Sequence, residues 1–230
     1  MNIKESFHDL TKFERGLWVT SVAVILLSFL AAGGGDLLSA AASLIGVTAL
    51  IFVAKGYVLD QVLTVVFAAV YGIISLRFRY YGEMITYLGM TAPMAILAVV
   101  SWVKHPYKGS REVEVHRLKG KQIAGLLGLT VITTVLFYFI LKALGNASLG
   151  VSTLSVTTSF LASALTFLRS PYYALAYGAN DLVLIVLWVL AVLQDPSCFP
   201  MVLCFLLFFA NDLYGFFNWR RMQLRQQQGA

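Results

Sequence analysis

The sequence predicts an all-α integral membrane protein of eight transmembrane helices, and three observations carry the prediction. Of the 230 residues, 59% are hydrophobic and only 12% are charged, about half the charge of a soluble domain; mean hydropathy is +0.80. The apolar residues fall in continuous runs of about 20, enough to cross a bilayer as a helix, whereas the strands of a barrel would alternate over ~10 residues. The basic residues are shared unequally between alternate connections, as they are when topology is set by charge.

In chain order, residues 1–16 carry Glu5, Asp9 and Glu14, and no small-residue cleavage site follows the first apolar run, so they do not read as a signal peptide. Ile3, Phe7, Leu10 and Phe13 recur at helical spacing, which suits a short helix on the membrane surface; a frayed polar start is the alternative. Spans are expected at 17–32, 36–54, 58–76, 80–103, 122–144, 149–168, 172–193 and 198–218. The connections between them carry turn signals: GGGD at 33–36, KG at 55–56, LGN at 144–146 and QDPSCFP at 194–200. Within span 4, Thr91 precedes Pro93, whose missing N–H frees a carbonyl in mid-span. In span 8, Cys198 and Cys204 are six residues apart and face different sides of one helix, so neither a disulfide nor a metal site is expected.

Only the connection at 104–121, KHPYKGSREVEVHRLKGK, is long, and it is strongly charged. With the N-terminus in the cytoplasm, fourteen of the 17 Lys and Arg residues lie inside; Arg77, Arg79 and Lys142 lie outside. Both termini are therefore expected to be cytoplasmic, with the basic loop as a topology anchor rather than a lipid or nucleotide site. The net charge of +6 follows from this topology and calls for no nucleic acid partner.

Two pairs of landmarks recur. Lys55 and Arg169, 114 residues apart, end spans 2 and 6; Trp102 and Trp219, 117 apart, end spans 4 and 8. They superpose spans 2-3-4 on spans 6-7-8 in the same orientation, a 3+1+3 parallel pseudo-repeat with span 5 as the linker. A rival match, LRFRYY at 76–81 with LRSPYY at 168–173, would require an inverted repeat. The parallel reading divides the chain into an N-terminal segment with an extra span (1–35), a first three-helix bundle (36–103), the loop and linker helix (104–145), a second bundle (146–222) and a tail (223–230). Such repeats are built in transporters, with the substrate site between the halves.

The polar residues inside the spans are the candidates for that site. Asn211, Tyr214, Gly215 and Asn218 share a face of span 8, flanked by Asp212 and Trp219. On span 7, Tyr173, Tyr177, Asp181 and Trp188 lie near one stripe beside Asn180; on span 6, Ser155, Ser159 and Ser163 recur every four residues; span 4 adds Thr91. Plainer readings stand beside these: the serines permit close helix packing, Tyr172 sits in an interfacial belt, and Trp219 anchors a span end. A carboxylate as deep as Asp181 costs at least ~2.5 kcal/mol on insertion scales, so a paired or functional role is its default. Asp212 and Glu83 lie nearer span ends. His8, His105 and His116 are unclustered, and no phosphate loop or nucleophile–base pattern appears, so neither an enzyme nor a bound cofactor is expected.

The closing NDLYGFFNWRRM resembles the PnuC family's final motif, N-x-x-Y-G-x-x-N-W followed by basic residues, at Asn211, Tyr214, Gly215, Asn218 and Trp219. GVTALIFVAKG at 46–56, Tyr81-Gly82-Glu83, Pro93 and Trp102 extend the resemblance over residues 40–222. The resemblance implies a bacterial inner-membrane facilitator with a SWEET-like fold, arranged as a homotrimer. It would import nicotinamide riboside by facilitated diffusion, and a cytoplasmic kinase would trap the product by phosphorylation. Deoxynucleosides or thiamine are alternative substrates, and a proton-coupled carrier using Asp181, Asp212 or Glu83 is a further alternative. The chain departs from the riboside carriers at YYALAYGAND, where Tyr172 and Tyr173 stand for Glu and Gln, Ala174 and Tyr177 for two Trp, and Asp181 for Asn. The polar stripes and the resemblance together give Tyr173, Tyr177, Asn180, Asp181, Asn211, Asp212, Tyr214, Asn218, Trp219, Thr91 and Ser159 as the expected substrate contacts, with substrate identity open.

Overall fold

The structure, a computed structural model, describes residues 3–31, 37–77, 81–146, 148–196 and 199–229. The turn GGGD, residues 78–80 of the rival repeat match and Cys198 lie outside these. Among the described residues, eight helices are long and apolar enough to span a bilayer: Lys12–Ala31, Leu37–Ala54, Val58–Arg77, Tyr81–Val103, Gly120–Ala143, Leu149–Phe167, Tyr173–Val192 and Phe199–Gln228. They are spans 1 to 8 below. Among the described residues there are no strands, only isolated bridges Tyr57–Glu112 and Pro106–Val113.

Two ends differ from expectation, each for a local reason. Span 1 begins at Lys12 rather than 17 because Thr11 and Glu14 form a capping box: the Thr11 amide donates to Glu14 Oε2 (2.7 Å) and the Glu14 amide to Thr11 Oγ1 (3.2 Å). Span 8 runs to Gln228, ten residues past the expected end at 218, because its polar extension is held by the basic loop. Gln226 accepts from the Val115 amide (2.8 Å) and donates to the Val113 carbonyl (3.1 Å), and Arg225 pairs with Glu112. The loop is thus a docked segment as well as a charged one. Val113 is fully buried, and its amide donates to Gly56 O (2.9 Å). Span 4 is distorted where Pro93 predicts it: a single π-turn occupies Tyr87–Thr91, and the Ala92 amide reaches back to Tyr87 O.

The short N-terminal helix Ile3–His8 packs against the loop end of the bundle. Phe7 sits edge-on to Trp18 (5.3 Å) and Phe52 (5.0 Å), while Arg111 of the loop pairs with Glu5 and, at 2.6 Å, with Asp9. Burial, aided by the Asp9 and Glu112 carboxylates, pushes the Tyr57 phenol beside this helix up to about 12. Glu14 is buried and bonded twice, to Lys55 Nζ (3.1 Å) and to Tyr214 OH (2.8 Å), so it ties span 1 to spans 2 and 8. Its replacement by Ala is expected to destabilise the protein by about 1–2 kcal/mol in detergent melts. That is less than the ~3–5 kcal/mol of a fully buried pair, because the ammonium left behind is only partly desolvated.

Span 2 packs on span 3 and span 3 on span 4; span 6 packs on span 7 and span 7 on span 8. The two sets meet where span 8 crosses span 2 and span 4 crosses span 6. The two meeting points carry the same bonds. Trp219 of span 8 donates its indole N–H to Val53 O (2.6 Å), and Trp102 of span 4 donates to Thr166 O (2.9 Å), with the two rings 5.6 Å apart. Each accepting span closes in the same turn: Gly56 N to Val53 O and Tyr57 N to Phe52 O in one, Arg169 N to Thr166 O and Ser170 N to Leu165 O in the other. Gly56 and Arg169 hold the positive-φ position of these turns, at +67° and +56°. Span 5 contacts mainly span 6, and span 1 contacts spans 2 and 8.

Candidate substrate cavity

Between the two sets of spans lies a cavity of about 80 Å³, below the ~300–1,000 Å³ of ligand pockets, so its closed ends must part to seat a small metabolite. Its loop end is closed by the tryptophan pair, since Val53 and Thr166, which accept the indole bonds, are themselves lining residues. Its far end is closed by Phe67, Phe205 and Phe208, with ring centroids 6.2 Å apart for Phe67–Phe208 and 5.5 Å for Phe205–Phe208. Gly46 admits the Phe208 ring: a Cβ there would stand 2.6 Å from its Cζ.

Polar groups line the space between these aromatic ends. Span 7 contributes Tyr177, Asn180 and Asp181, span 8 contributes Asp212, span 6 Ser159 and span 4 Thr91. Span 3 adds Asp60, Gln61 and Thr64. The Asn180 amide oxygen accepts from Thr158 (2.8 Å), Ser159 (3.0 Å) and Ser155 (3.5 Å), and Ser163 meets the Tyr177 hydroxyl at 3.3 Å. The serine stripe therefore orients the polar face of span 7 in addition to allowing close packing. Asp60 accepts from Gln61 and from Thr64 Oγ1 (3.2 Å).

Asp181 and Asp212 are 3% and 2% exposed, and their carboxyl groups lie in hydrogen-bonding contact with each other. Asp181 Oδ2 and Asp212 Oδ1 have no hydrogen-bond partner. Asp212 is thus deep in the protein rather than near polar surroundings. Among the described residues, no lysine, arginine or histidine lines the cavity, and no trio of His, Cys, Asp or Glu is placed to hold a metal.

Several residues expected to line the site are placed elsewhere. Asn211 turns toward span 1, donating to Ser21 Oγ (3.3 Å) and to Leu207 O (2.8 Å). Tyr214 is held by Glu14, and Asn218 donates to Ala54 O (2.8 Å); both face a second, wider cavity at the loop end beside Lys55 and Arg221. Trp219 is spent on its bond to Val53 O, and Tyr173 is buried against Trp219, centroids 4.9 Å apart. A Cβ on Gly215 would stand 2.9 Å from the Tyr173 hydroxyl, which accounts for the glycine in the closing motif. Glu83 is buried outside the cavity lining. These positions are read as polar because their type was visible in the sequence; their direction depends on which helix each faces. Conversely Asp60 escaped notice because it sits two residues inside span 3. The signal was available, in an acid with Thr64 one turn later on the same face.

A family model described as Nicotinamide mononucleotide transporter matches residues 36–221. The chain belongs to this family. The nicotinamide riboside transporter PnuC of Neisseria mucosa is 24% identical to it over 227 residues, 96% of this chain and 86% of the relative. The protein of the same name from Haemophilus influenzae is 28% identical over 183 residues, covering 78% and 77%. A crystal structure of the vitamin B3 transporter PnuC shares the fold with a TM-score of 0.83 at 23% identity, covering 94% of each chain. Membership in this transporter family agrees with a site that has a binding cavity and no catalytic constellation. The family model begins at residue 36, so it leaves span 1 outside it.

Proposed function

We propose that this member of the nicotinamide mononucleotide transporter family carries an unphosphorylated, cationic nucleoside, with nicotinamide riboside as the leading substrate. The observation that carries the reading is the charge of the cavity: Asp60, Asp181 and Asp212 line it, and no basic side chain does. A pyridinium or thiazolium ring is attracted there, and Tyr177 and Tyr87 supply aromatic faces. A phosphate, with ≈ −1.5 to −2 charge, would meet carboxylates and find no cation. This separates the riboside, named for the two PnuC relatives, from the mononucleotide named in the family description. Asn180, Ser159 and Thr91 suit a ribose, each offering a donor or acceptor to hydroxyls.

In this reading, the bundles 36–103 and 146–222 rock about the cavity, the aromatic ends open in turn, and 104–145 links the halves. Uptake follows the substrate gradient and is sustained by a cytoplasmic kinase that phosphorylates the product. The protein sits in the inner membrane with both termini in the cytoplasm and assembles as a trimer, as the family resemblance implies. Thiamine and a neutral deoxynucleoside are the competing ligands.

Calorimetric titration of the purified protein tests the reading. Nicotinamide riboside is expected to bind, and the mononucleotide to bind about a hundredfold more weakly, because like-charge juxtaposition costs several kcal/mol. Equal or tighter binding of the mononucleotide overturns it. Preference for thiamine or a deoxynucleoside moves the substrate while keeping the carrier.

A further inference from the structure

The Asp181–Asp212 contact is more than a source of negative charge. Two ionised carboxylates in direct contact in a water-poor cavity repel each other strongly, and one proton shared between them relieves this. Nothing else in the cavity does so: the groups facing the pair from the surrounding helices are Asp60 of span 3, Tyr87 of span 4, Tyr173 and Tyr177 of span 7 and Cys204 of span 8, none of them a cation. Spans 2 and 6 contribute no titratable residue to the lining. One carboxyl oxygen of each member is unpartnered and buried, so each still has an acceptor position open to a ligand.

We propose that the empty cavity holds one proton between Asp181 and Asp212, and that a cationic substrate displaces it, so the carrier exchanges cation for proton. It rests on the reading of the substrate as a cation. When the cation enters, the shared proton passes to water on the side to which the cavity is open, and both carboxylates face the cation. When the cation leaves on the other side, the pair takes a proton from that side and the carrier returns with it. Each crossing then carries the same net charge. At equal pH on the two sides the cycle runs down the substrate gradient; it is electroneutral, and a pH difference across the membrane adds to or opposes that gradient.

Two measurements test this. Infrared spectra of the unliganded protein are expected to contain a protonated-carboxyl band that is lost in Asp181→Asn and in Asp212→Asn; both substitutions keep the side-chain shape. A band unchanged in both variants overturns the shared proton. This readout needs no substrate, so it decides the point even where nicotinamide riboside proves to be the wrong ligand. In proteoliposomes, nicotinamide riboside uptake by the wild type is expected to release protons outside, to speed up with an acidic interior and to ignore an imposed membrane potential. Uptake by Asp181→Asn is expected to lose the proton release and to follow the potential. Wild-type uptake that follows the potential without proton movement overturns the exchange.

Discussion

Replacing Asp181 and Asp212 together by Asn is expected to lower affinity for nicotinamide riboside by about two orders of magnitude or more, while a neutral nucleoside changes little. The pyridinium carries no N–H, so its attraction to the pair is Coulombic: a charge pair ~4 Å apart at an effective dielectric constant of about 20 is worth about 4 kcal/mol, and each 1.4 kcal/mol is roughly tenfold in affinity. The Asn oxygens still accept from hydroxyls, so a neutral ligand retains most of its bonds. Folding is expected to survive, because the double variant removes a buried, uncompensated charge from an apolar interior and leaves the volume unchanged. Titrating both ligands into the wild type and the variant gives the difference directly. Equal losses for both ligands would mean that the pair acts through hydrogen bonding alone and that charge does not select the substrate. An unchanged affinity for both would place the pair outside the binding surface.

The second large effect is on stability. Trp219→Ala is expected to destabilise the protein by about 3 kcal/mol, within the ~3–5 kcal/mol typical of emptying a buried aromatic site. In lipid the loss comes from packing and from the lost indole bond to Val53 O more than from hydrophobic transfer. The indole is fully buried and touches Tyr173 and Trp102, with centroids at 4.9 and 5.6 Å. Trp102 is equally buried and makes the matching bond to Thr166 O, so Trp102→Ala is expected to cost a similar amount. The double variant is expected to cost less than the sum, because the two rings support each other. Trp219→Phe, which keeps most of the packing, isolates the hydrogen bond at about 0.5–1.5 kcal/mol. Thermal unfolding in detergent ranks the four variants. If Trp219→Ala melts like the wild type, the tryptophans do not hold the loop end closed.

Much of the fold was legible in residue type alone, because a membrane helix must satisfy its own backbone and stay apolar for about 20 residues. The spans, the carbonyl freed by Pro93 and the cost of placing Asp181 where it is are therefore local; the capping box of Thr11 and Glu14 is local too, yet it escaped notice, and span 1 was expected to start five residues late. The same locality hid the extent of span 8: Gln223 and Gln226 look like a solvated tail until the basic loop folds over them. The family motif was legible too, but the partners its residues take within the protein were not. Asn211, Tyr214, Asn218 and Trp219 have the chemistry of ligand contacts, and whether they meet a ligand or a neighbouring helix depends on helix rotation, which apolar composition on every side of a buried helix leaves undetermined. Their bonds to Ser21, Glu14, Ala54 and Val53 come from residues more than 160 positions away. Asp60 was missed because it sits two residues inside span 3, where an acid looks like a residue at a span end; only the packed structure buries it. Only the packed structure sets Asp181 against Asp212 across two helices. That contact turns isolated acids into a pair with one proton to share, since electrostatic energy depends on separation in space and sequence reports only separation along the chain.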